Sequence, residues 1–252
     1  MPAEIHWRDD RHFRVAEIEF ECDATGAKPP APASGPRVLL KARAQVEFYL
    51  ERFSKLARVL EFGVYRGGSA AFLAAAFDLE RYVGIDLAPP AADFDAWRAQ
   101  HPLGRRLGIH YQTSQADRER VAAIIAEEFR GAPIDLVVDD ASHDYARTKA
   151  AFETAFPYLK PGGAYVIEDW GWAHHPPHAA LWPGRPVLSN LLFELAMAAA
   201  GSPSVIGRIV VDGGAFATVF KAETAPLGGA LSLDSLYRVR GKAPALPLSA
   251  PE

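Results

Sequence analysis

The sequence predicts an α/β fold: a doubly wound sheet of seven strands, mostly parallel, that ends in an antiparallel hairpin. From residue 58 to residue 167, short apolar runs alternate with segments of helical periodicity, which is typical of β–α–β units. Near the C-terminus, Asp212-Gly213-Gly214 separates two β-rich runs. Asp-Gly between such runs is a strong hairpin signal. We therefore expect the last two strands to run antiparallel.

Each element is predicted from its own pattern of apolar residues. A helical spacing predicts a first helix over 38–56. The predicted strands are 58–62, 82–85, 107–111, 134–139, 164–167, 205–211 and 215–220, and the helices between them are 69–77, 93–101, 117–129, 144–158 and 186–200. The predicted domains are an N-terminal extension and linker (1–37), a main domain (38–222) and a C-terminal tail (223–252). Within 1–22 we expect an edge strand or a segment that covers one face.

Composition limits the classes of protein to consider. Hydrophobic residues make up 49% and charged residues 23% of the 252 residues, which is ordinary for a folded enzyme. The net charge of −4 gives no electrostatic footprint for nucleic acid. We expect neither a secretory signal nor a membrane-spanning stretch. The prediction is a cytoplasmic protein with no nucleic-acid or membrane partner.

Two acidic clusters directly follow two of the predicted strands. Asp139-Asp140-Ala141-Ser142-His143 follows the run 134–138, and Glu168-Asp169 follows the run 164–167. If these strands are neighbours in a parallel sheet, their carboxyl ends bring up to four acids within a few ångströms. Like charges that close raise each other's pKa, and a bound divalent cation removes the conflict. Carboxylate ligands suit a hard ion, so the sequence predicts a Mg²⁺ site.

Other interpretations of these clusters stay open at this stage. Asp139 and Asp140 could cap the helix that begins near Asp144, where acidic residues are favoured. Glu168-Asp169 could be a solvated pair in a loop. His143 could be a capping or surface histidine.

A glycine-containing loop, Glu61 to Ser69, joins the first main-domain strand to its helix. Glycine there allows a ligand to approach the backbone closely, and amides at a helix N-terminus suit a carboxylate or phosphate. Asp86 ends the next strand, where an acid can accept hydrogen bonds from a ribose diol. These features fit a dinucleotide as well as S-adenosylmethionine. A plain strand-to-helix turn is the competing interpretation.

Further motifs favour one cofactor. The loop reads Glu61-Phe62-Gly63-x-x-x-Gly67-Gly68-Ser69 rather than Gly-x-Gly-x-x-Gly, and Lys160-Pro161-Gly162-Gly163 precedes the fifth strand. Over roughly residues 38–221 the chain resembles the class I S-adenosylmethionine-dependent methyltransferases, which have a Rossmann-like sheet. The two acidic clusters resemble those of the metal-dependent sugar O-methyltransferases of macrolide biosynthesis. That resemblance implies methyl transfer to a hydroxyl of a sugar or related natural product.

The resemblance also implies a role for each matching residue. Glu61 and Gly63 would line the methionine end of S-adenosylmethionine, and Asp86 would hold the ribose hydroxyls. The remaining cofactor residues would be Gly67, Ser69, Asp139 and, near the adenine, Ser114 and Gln115. Asp140, Glu168 and Asp169 would hold Mg²⁺, and His143 would be the general base. We also expect a homo-oligomer that acts on a small hydroxylated substrate.

Some parts of the sequence match no family pattern. The segment Trp170 to Trp182 is rich in tryptophan, histidine and proline. A metal site of His174, His175 and His178 is one interpretation, and a substrate-facing lid with Trp170, Trp172 and Trp182 is the favoured one.

Three competing functions fit parts of the same pattern. The first is a catechol-type O-methyltransferase, although the second acidic cluster of that family is typically Asp-Asn. The second is a nicotinamide-dependent oxidoreductase, which would share the glycine loop and Asp86. The third is a non-catalytic scaffold that binds a cofactor.

Overall fold

The structure, a computed structural model, describes residues 2–25, 35–179 and 184–237. The strands are Ile5–Trp7 (β1), His12–Val15 (β2), Ile18–Cys22 (β3), Arg37–Leu39 (β4), Arg58–Phe62 (β5), Arg81–Ile85 (β6), Leu107–His110 (β7), Ile134–Asp139 (β8), Leu159–Glu168 (β9), Ile206–Asp212 (β10) and Phe216–Lys221 (β11). The helices are Arg43–Arg52 (α1), Gly68–Phe77 (α2), Ala92–Gln100 (α3), Arg118–Phe129 (α4), Tyr145–Ala155 (α5), Pro176–Ala179 (α6) and Leu188–Gly201 (α7).

The main sheet has seven strands in the order β10-β11-β9-β8-β5-β6-β7. The pairs β5–β6, β6–β7 and β8–β9 are parallel, whereas β11 pairs antiparallel with both β9 and β10. The prediction of a mostly parallel seven-stranded sheet with a C-terminal antiparallel hairpin is therefore confirmed. Among the described residues, no helix has both the length and the apolar character that crossing a bilayer requires.

The chain divides into two compact units, residues 1–113 and 114–252. The first unit contains a further four-stranded sheet, β1-β2-β3-β4, in which only β3 and β4 are parallel. Its apolar side carries Phe13 and Phe20, whose stacked rings both meet the edge of Phe72 in α2. The N-terminal residues thus build a small sheet of their own rather than a single edge strand.

The helix predicted from residue 38 begins only at Arg43. Arg37 to Leu39 instead forms β4, whose buried and half-buried residues alternate and which pairs in parallel with Phe20 to Cys22. Strand pairing with a distant segment overrides the helical spacing of these residues.

In the second unit, β9 begins at Leu159, earlier than predicted. The register with β8 shifts between Ile134 and Leu136, so the Lys160-to-Gly163 turn lies inside the assigned strand as an irregularity. Helix α5 packs on α7 through a buried ion pair, in which Lys149 Nζ lies 2.7 Å from Glu194 Oε2. Lys149 also lies 2.8 Å from Asp234, which ties the C-terminal turn to the same helices.

Candidate active site

Three side chains that could hold a cation converge at the ends of β8 and β9. One ligand atom each of Asp140, His143 and Asp169 lies within 4.8 Å of the others, and His143 Nε2 is 4.0 Å from Asp140 Oδ1. The register explains the convergence, because Asp139 pairs with Ile167 in adjacent parallel strands. Asp140 and Asp169 therefore emerge at the same sheet edge.

Two of these residues have backbone conformations that non-glycine residues rarely adopt. His143 has φ of 50° and Asp169 has φ of 51°. Such left-handed geometry costs on the order of 1–3 kcal/mol and persists only where surrounding contacts fix it. Each of the two loops that carry candidate ligands thus includes one strained residue.

The β10–β11 hairpin supplies the contacts that hold the Asp169 loop. The Asp169 amide donates to Ala215 O at 2.6 Å, and the Gly171 amide donates to Gly214 O at 2.9 Å. The indole of Trp170 donates from Nε1 to Gly213 O, also at 2.9 Å. The antiparallel hairpin therefore fixes the position of a candidate metal ligand.

Asp139 lies beneath the cluster and braces its first loop. The buried carboxylate accepts hydrogen bonds from Tyr165 Oη at 2.8 Å and from Gln115 Nε2 at 3.1 and 3.2 Å. Gln115 Oε1 in turn accepts from the Ser142 amide at 3.1 Å. Burial raises the pKa of Asp139 to about 6, although Tyr165, His143 and Gln115 oppose the shift.

The structure argues against two alternative interpretations of the acidic clusters, as helix caps and as a solvated pair in a loop. Helix α5 is capped by Asp144, whose side chain accepts from the Arg147 amide at 3.1 Å, so neither Asp139 nor Asp140 is the cap. Glu168 is only 1% exposed and is not part of a solvated pair. It also stands outside the group formed by Asp140, His143 and Asp169. Its role as a metal ligand therefore stays a prediction.

The donor atoms fit a hard divalent cation. Two half-buried carboxylates close to each other repel, and a cation between them relieves that repulsion. Within the described residues, this is the only group with metal-ligand spacing, so His174, His175 and His178 do not form a histidine site. Trp182, which the lid interpretation invoked, lies outside the described residues.

The glycine loop lies in the first unit and is tied to Asp86. One carboxylate oxygen of Asp86 accepts from the amides of Val64 and Tyr65, each at 2.7 Å, and the other accepts from the Ala88 amide at 2.7 Å. Gly63 has φ of 88°, a conformation that favours glycine. Asp86 thus organises the loop predicted to bind the cofactor.

Glu61 is fully buried behind this loop. Its Oε2 accepts hydrogen bonds from Ser69 Oγ at 2.8 Å and from the Tyr82 hydroxyl. Burial, followed by the Glu61 carboxylate, raises the pKa of Tyr82 well above its usual value. The predicted cofactor residues Glu61 and Ser69 are therefore directly linked within this unit.

Gly67 has a packing requirement of its own. Its φ is 73°, and a Cβ placed there would lie 2.3 Å from the ring of Phe94. The structure thus accounts for glycine at this position without a ligand, and its assignment to the cofactor stays a prediction.

Sequence reasoning missed several residues that shape the candidate site. Tyr165 holds Asp139, and Ala215, Gly214 and Gly213 hold the Asp169 loop. The hairpin signal located those last residues but gave no hint that they contact a candidate ligand. Gln115, predicted to lie near the adenine, also links Asp139 to the Ser142 amide, and its role at the adenine stays a prediction.

Comparison with known proteins shows what this chain is similar to. Residues 60–170 match a family described as a methyltransferase domain. The predicted resemblance to the class I methyltransferases is confirmed, and the matched segment includes both acidic clusters and the glycine loop.

The individual relatives are named O-methyltransferases. The chain is 32% identical over 110 residues to L-olivosyl-oleandolide 3-O-methyltransferase from Streptomyces antibioticus, a match that covers 39% of this chain and 27% of the relative. It is 35% identical over 99 residues to mycinamicin VI 2''-O-methyltransferase from Micromonospora griseorubida, covering 35% and 23%. The match thus spans about a quarter of the length of these curated relatives.

A solved structure is similar over a larger part of the chain. The MycE methyltransferase of the mycinamycin biosynthetic pathway, in complex with Mg, SAH and mycinamycin VI, has a TM-score of 0.54 and 27% identity. The similarity covers 72% of this chain and 49% of MycE.

Proposed function

We propose that this chain carries the catalytic domain of an S-adenosylmethionine-dependent, Mg²⁺-assisted O-methyltransferase. Its acceptor would be a hydroxyl of a sugar or related natural product. The observation that carries the proposal is the grouping of Asp140, His143 and Asp169 at adjacent strand ends of a methyltransferase domain. The names of the relatives support the acceptor class, and the MycE complex with Mg and SAH supports both cofactors.

Asp140 and Asp169 would hold the cation, with Glu168 as the third predicted ligand. When bound, Mg²⁺ would supply Lewis acidity that lowers the proton affinity of the acceptor hydroxyl. Imidazole is a poorer ligand than carboxylate for a hard cation. His143 therefore stays available for proton transfer rather than metal binding.

His143 would act as the general base. The hydroxyl oxygen forms the new bond to the methyl carbon, and the bond from that carbon to the sulfonium sulfur breaks, with its electron pair left on sulfur. The hydroxyl proton passes to the imidazole, a side chain that commonly serves as a general base. The balance needs no oxidant or reductant.

In the first unit, the glycine loop and Asp86 would bind S-adenosylmethionine. Each carboxylate offers roughly four lone-pair positions, so the three amide contacts of Asp86 leave capacity for a ribose hydroxyl. The cofactor roles of Ser114, Gln115 and Asp139, the domain limits and self-association remain predictions of the same proposal.

Calorimetric titration tests the cofactor assignment first. S-adenosylmethionine and S-adenosylhomocysteine are titrated into the chain with Mg²⁺ and with EDTA, and NAD⁺ serves as the control ligand. Binding of the two sulfur compounds and not of NAD⁺ is the expected result. Binding of NAD⁺ alone, or of none of the three, would overturn the proposal.

A matched pair of variants tests the metal assignment. Asp140→Asn removes a candidate ligand and should lower Mg²⁺ affinity by at least about 100-fold, beyond the effect of losing a supporting contact. Asp144→Asn is the control, because asparagine caps a helix as well as aspartate does. Methyl transfer to a panel of hydroxylated glycosides, measured by mass spectrometry of the products, should be slower in Asp140→Asn. Equal Mg²⁺ affinity in both variants would contradict the assignment.

A further inference from the structure

Trp172 lies close to two imidazole rings, and one of them belongs to the candidate base His143. Its ring centroid is 5.7 Å from that of His143, with the planes tilted by 36°. On His178 it stacks nearly parallel, at 4.1 Å and 18°. Trp172 thus has a histidine ring stacked on it and a second, the candidate base, close by.

The same turn that carries Asp169 also fixes Trp172. The Trp172 amide donates to Asp169 O at 2.9 Å, and the turn is anchored by the Gly171 amide on Gly214 O. The indole is therefore positioned relative to a candidate metal ligand by short backbone links. An indole held this way can restrict a neighbouring side chain.

His143 is a residue that needs such restriction. It has φ of 50°, and the torsion about the bond to an imidazole ring is broad when nothing packs against the ring. A general base must keep one ring nitrogen within hydrogen-bond reach of the proton that it accepts. In the structure, His143 Nε2 lies 4.0 Å from Asp140 Oδ1.

We propose that Trp172 is a positioning residue for His143, and that His178 backs Trp172 by stacking. The proposal rests on the proposed role of His143 as general base. His178 covers one indole face at stacking distance, and His143 lies close by. These contacts favour a role in restricting His143, here called the wedge, rather than a role as a stacking surface for a sugar ring.

The first measurement uses the imidazole itself and needs no substrate. Histidine-labelled chain is prepared as wild type and as Trp172→Ala, Trp172→Phe and His174→Ala, and the His143 resonance is assigned with His143→Gln. The ring current of Trp172 should displace the His143 resonance, so Trp172→Ala should move it towards the position of free histidine. Trp172→Phe should move it less. His174→Ala is the control, because His174 lies in the same segment and contacts Ser189. This variant should leave the His143 resonance in place.

The second measurement separates positioning from binding. Trp172→Ala should lower kcat by up to about 100-fold, the loss that a misplacement of about 1 Å can cause. The acceptor KM and the S-adenosylmethionine dissociation constant should change little. Trp172→Phe should restore most of kcat, and His178→Ala should give an intermediate loss.

Several outcomes would overturn the inference. An unchanged His143 resonance in Trp172→Ala would show that the indole does not restrict the ring. Equal kcat loss in Trp172→Ala and Trp172→Phe would assign the effect to something other than ring packing. If Trp172→Ala fails to fold, His178→Ala and Trp172→Phe decide the question. A wild-type chain without methyl transfer would refute the proposed function, while the resonance shifts would still test the wedge.

Discussion

Two buried carboxylates, Glu61 and Asp139, occupy equivalent places in the two units. Each lies on a parallel strand and accepts a hydrogen bond from a tyrosine of the neighbouring strand, Tyr82 for Glu61 and Tyr165 for Asp139. The register is also the same. Tyr82 pairs with Val59, and Tyr165 pairs with Val137, so each tyrosine lies opposite the residue two positions before its acid.

The difference lies in what each carboxylate reaches next. Glu61 accepts from Ser69 in the first turn of α2, so its contacts stay within the strand and its following helix. Asp139 accepts from Gln115, which extends to the Ser142 amide in the loop between Asp140 and His143. The same pairing of acid and tyrosine therefore stabilises a helix start in one unit and braces a candidate metal loop in the other.

The largest expected difference between Asp139 and Glu61 follows from replacing each acid by its amide. In Asp139→Asn, the new amide nitrogen can face Gln115 Nε2, and two donors cannot form a hydrogen bond. If the Gln115 amide rotates to avoid this, its Oε1 no longer accepts from the Ser142 amide. Loss of such a supporting contact costs about 10- to 100-fold in metal affinity, so Mg²⁺ binding by calorimetry should weaken in that range. Glu61→Gln should leave Mg²⁺ affinity unchanged and weaken S-adenosylmethionine binding instead.

The two amide variants also control each other. Both remove one buried negative charge, so a general effect of charge would change the two ligand affinities in the same way. Equal loss of Mg²⁺ affinity in both variants would refute the separate roles assigned to Glu61 and Asp139.

A smaller effect should follow from crowding the hairpin that holds Asp169. A Cβ on Gly171 would lie 2.9 Å from Gly214 Cα and 3.0 Å from Gly214 O, so Gly171→Ala must shift the backbone. We expect a loss of about 1 kcal/mol in unfolding free energy, at the low end for overpacking, and weaker Mg²⁺ binding. Gly214→Ala is the control, since its Cβ would find its nearest neighbours at 3.7 Å. Chemical denaturation measures both, and indistinguishable variants would contradict the assigned contact.

The acidic strand ends could be predicted because their signal is local. Apolar runs ending in Asp139 and Glu168 mark buried strands, and parallel neighbours bring their carboxyl ends together. The strand Arg37–Leu39 could not be predicted in the same way. Its three residues become a strand by pairing with β3, and nothing in their own spacing indicates that partner.

The supporting contacts of the site were beyond sequence reasoning for a related reason. Trp170 reaches Gly213 and Asp169 reaches Ala215 across more than 40 positions of sequence. Which amide Gln115 meets depends on its side-chain rotamer, which follows from packing. The sequence thus indicated which residues carry the chemistry, and the tertiary structure determined which residues hold them in place.

The smallest expected effect concerns the two tyrosines, Tyr82 and Tyr165, at alkaline pH. Burial, followed by the adjacent carboxylate, raises the pKa of Tyr82 and of Tyr165 well above 10. The unfolded chain releases these phenol protons near pH 10, while the folded chain retains them. The folded state then binds more protons, so stability is fully present below pH 10 and is lost as pH rises above it.

Above pH 10, each tyrosine contributes one share of the decrease in unfolding free energy. Tyr82→Phe and Tyr165→Phe should each remove one such share. At pH 10.5 each share is about 0.8 kcal/mol, from the linkage relation with an unfolded pKa of about 10. Denaturation between pH 8 and pH 10.5 measures the slope for both variants and for the double variant, in which the shares should add. Because the two tyrosines have the same register and the same kind of partner, the two shares should be equal. A variant that keeps the full wild-type slope would show that its tyrosine ionises as freely in the folded chain as in the unfolded one, and the equivalence of the two pairs would then be wrong.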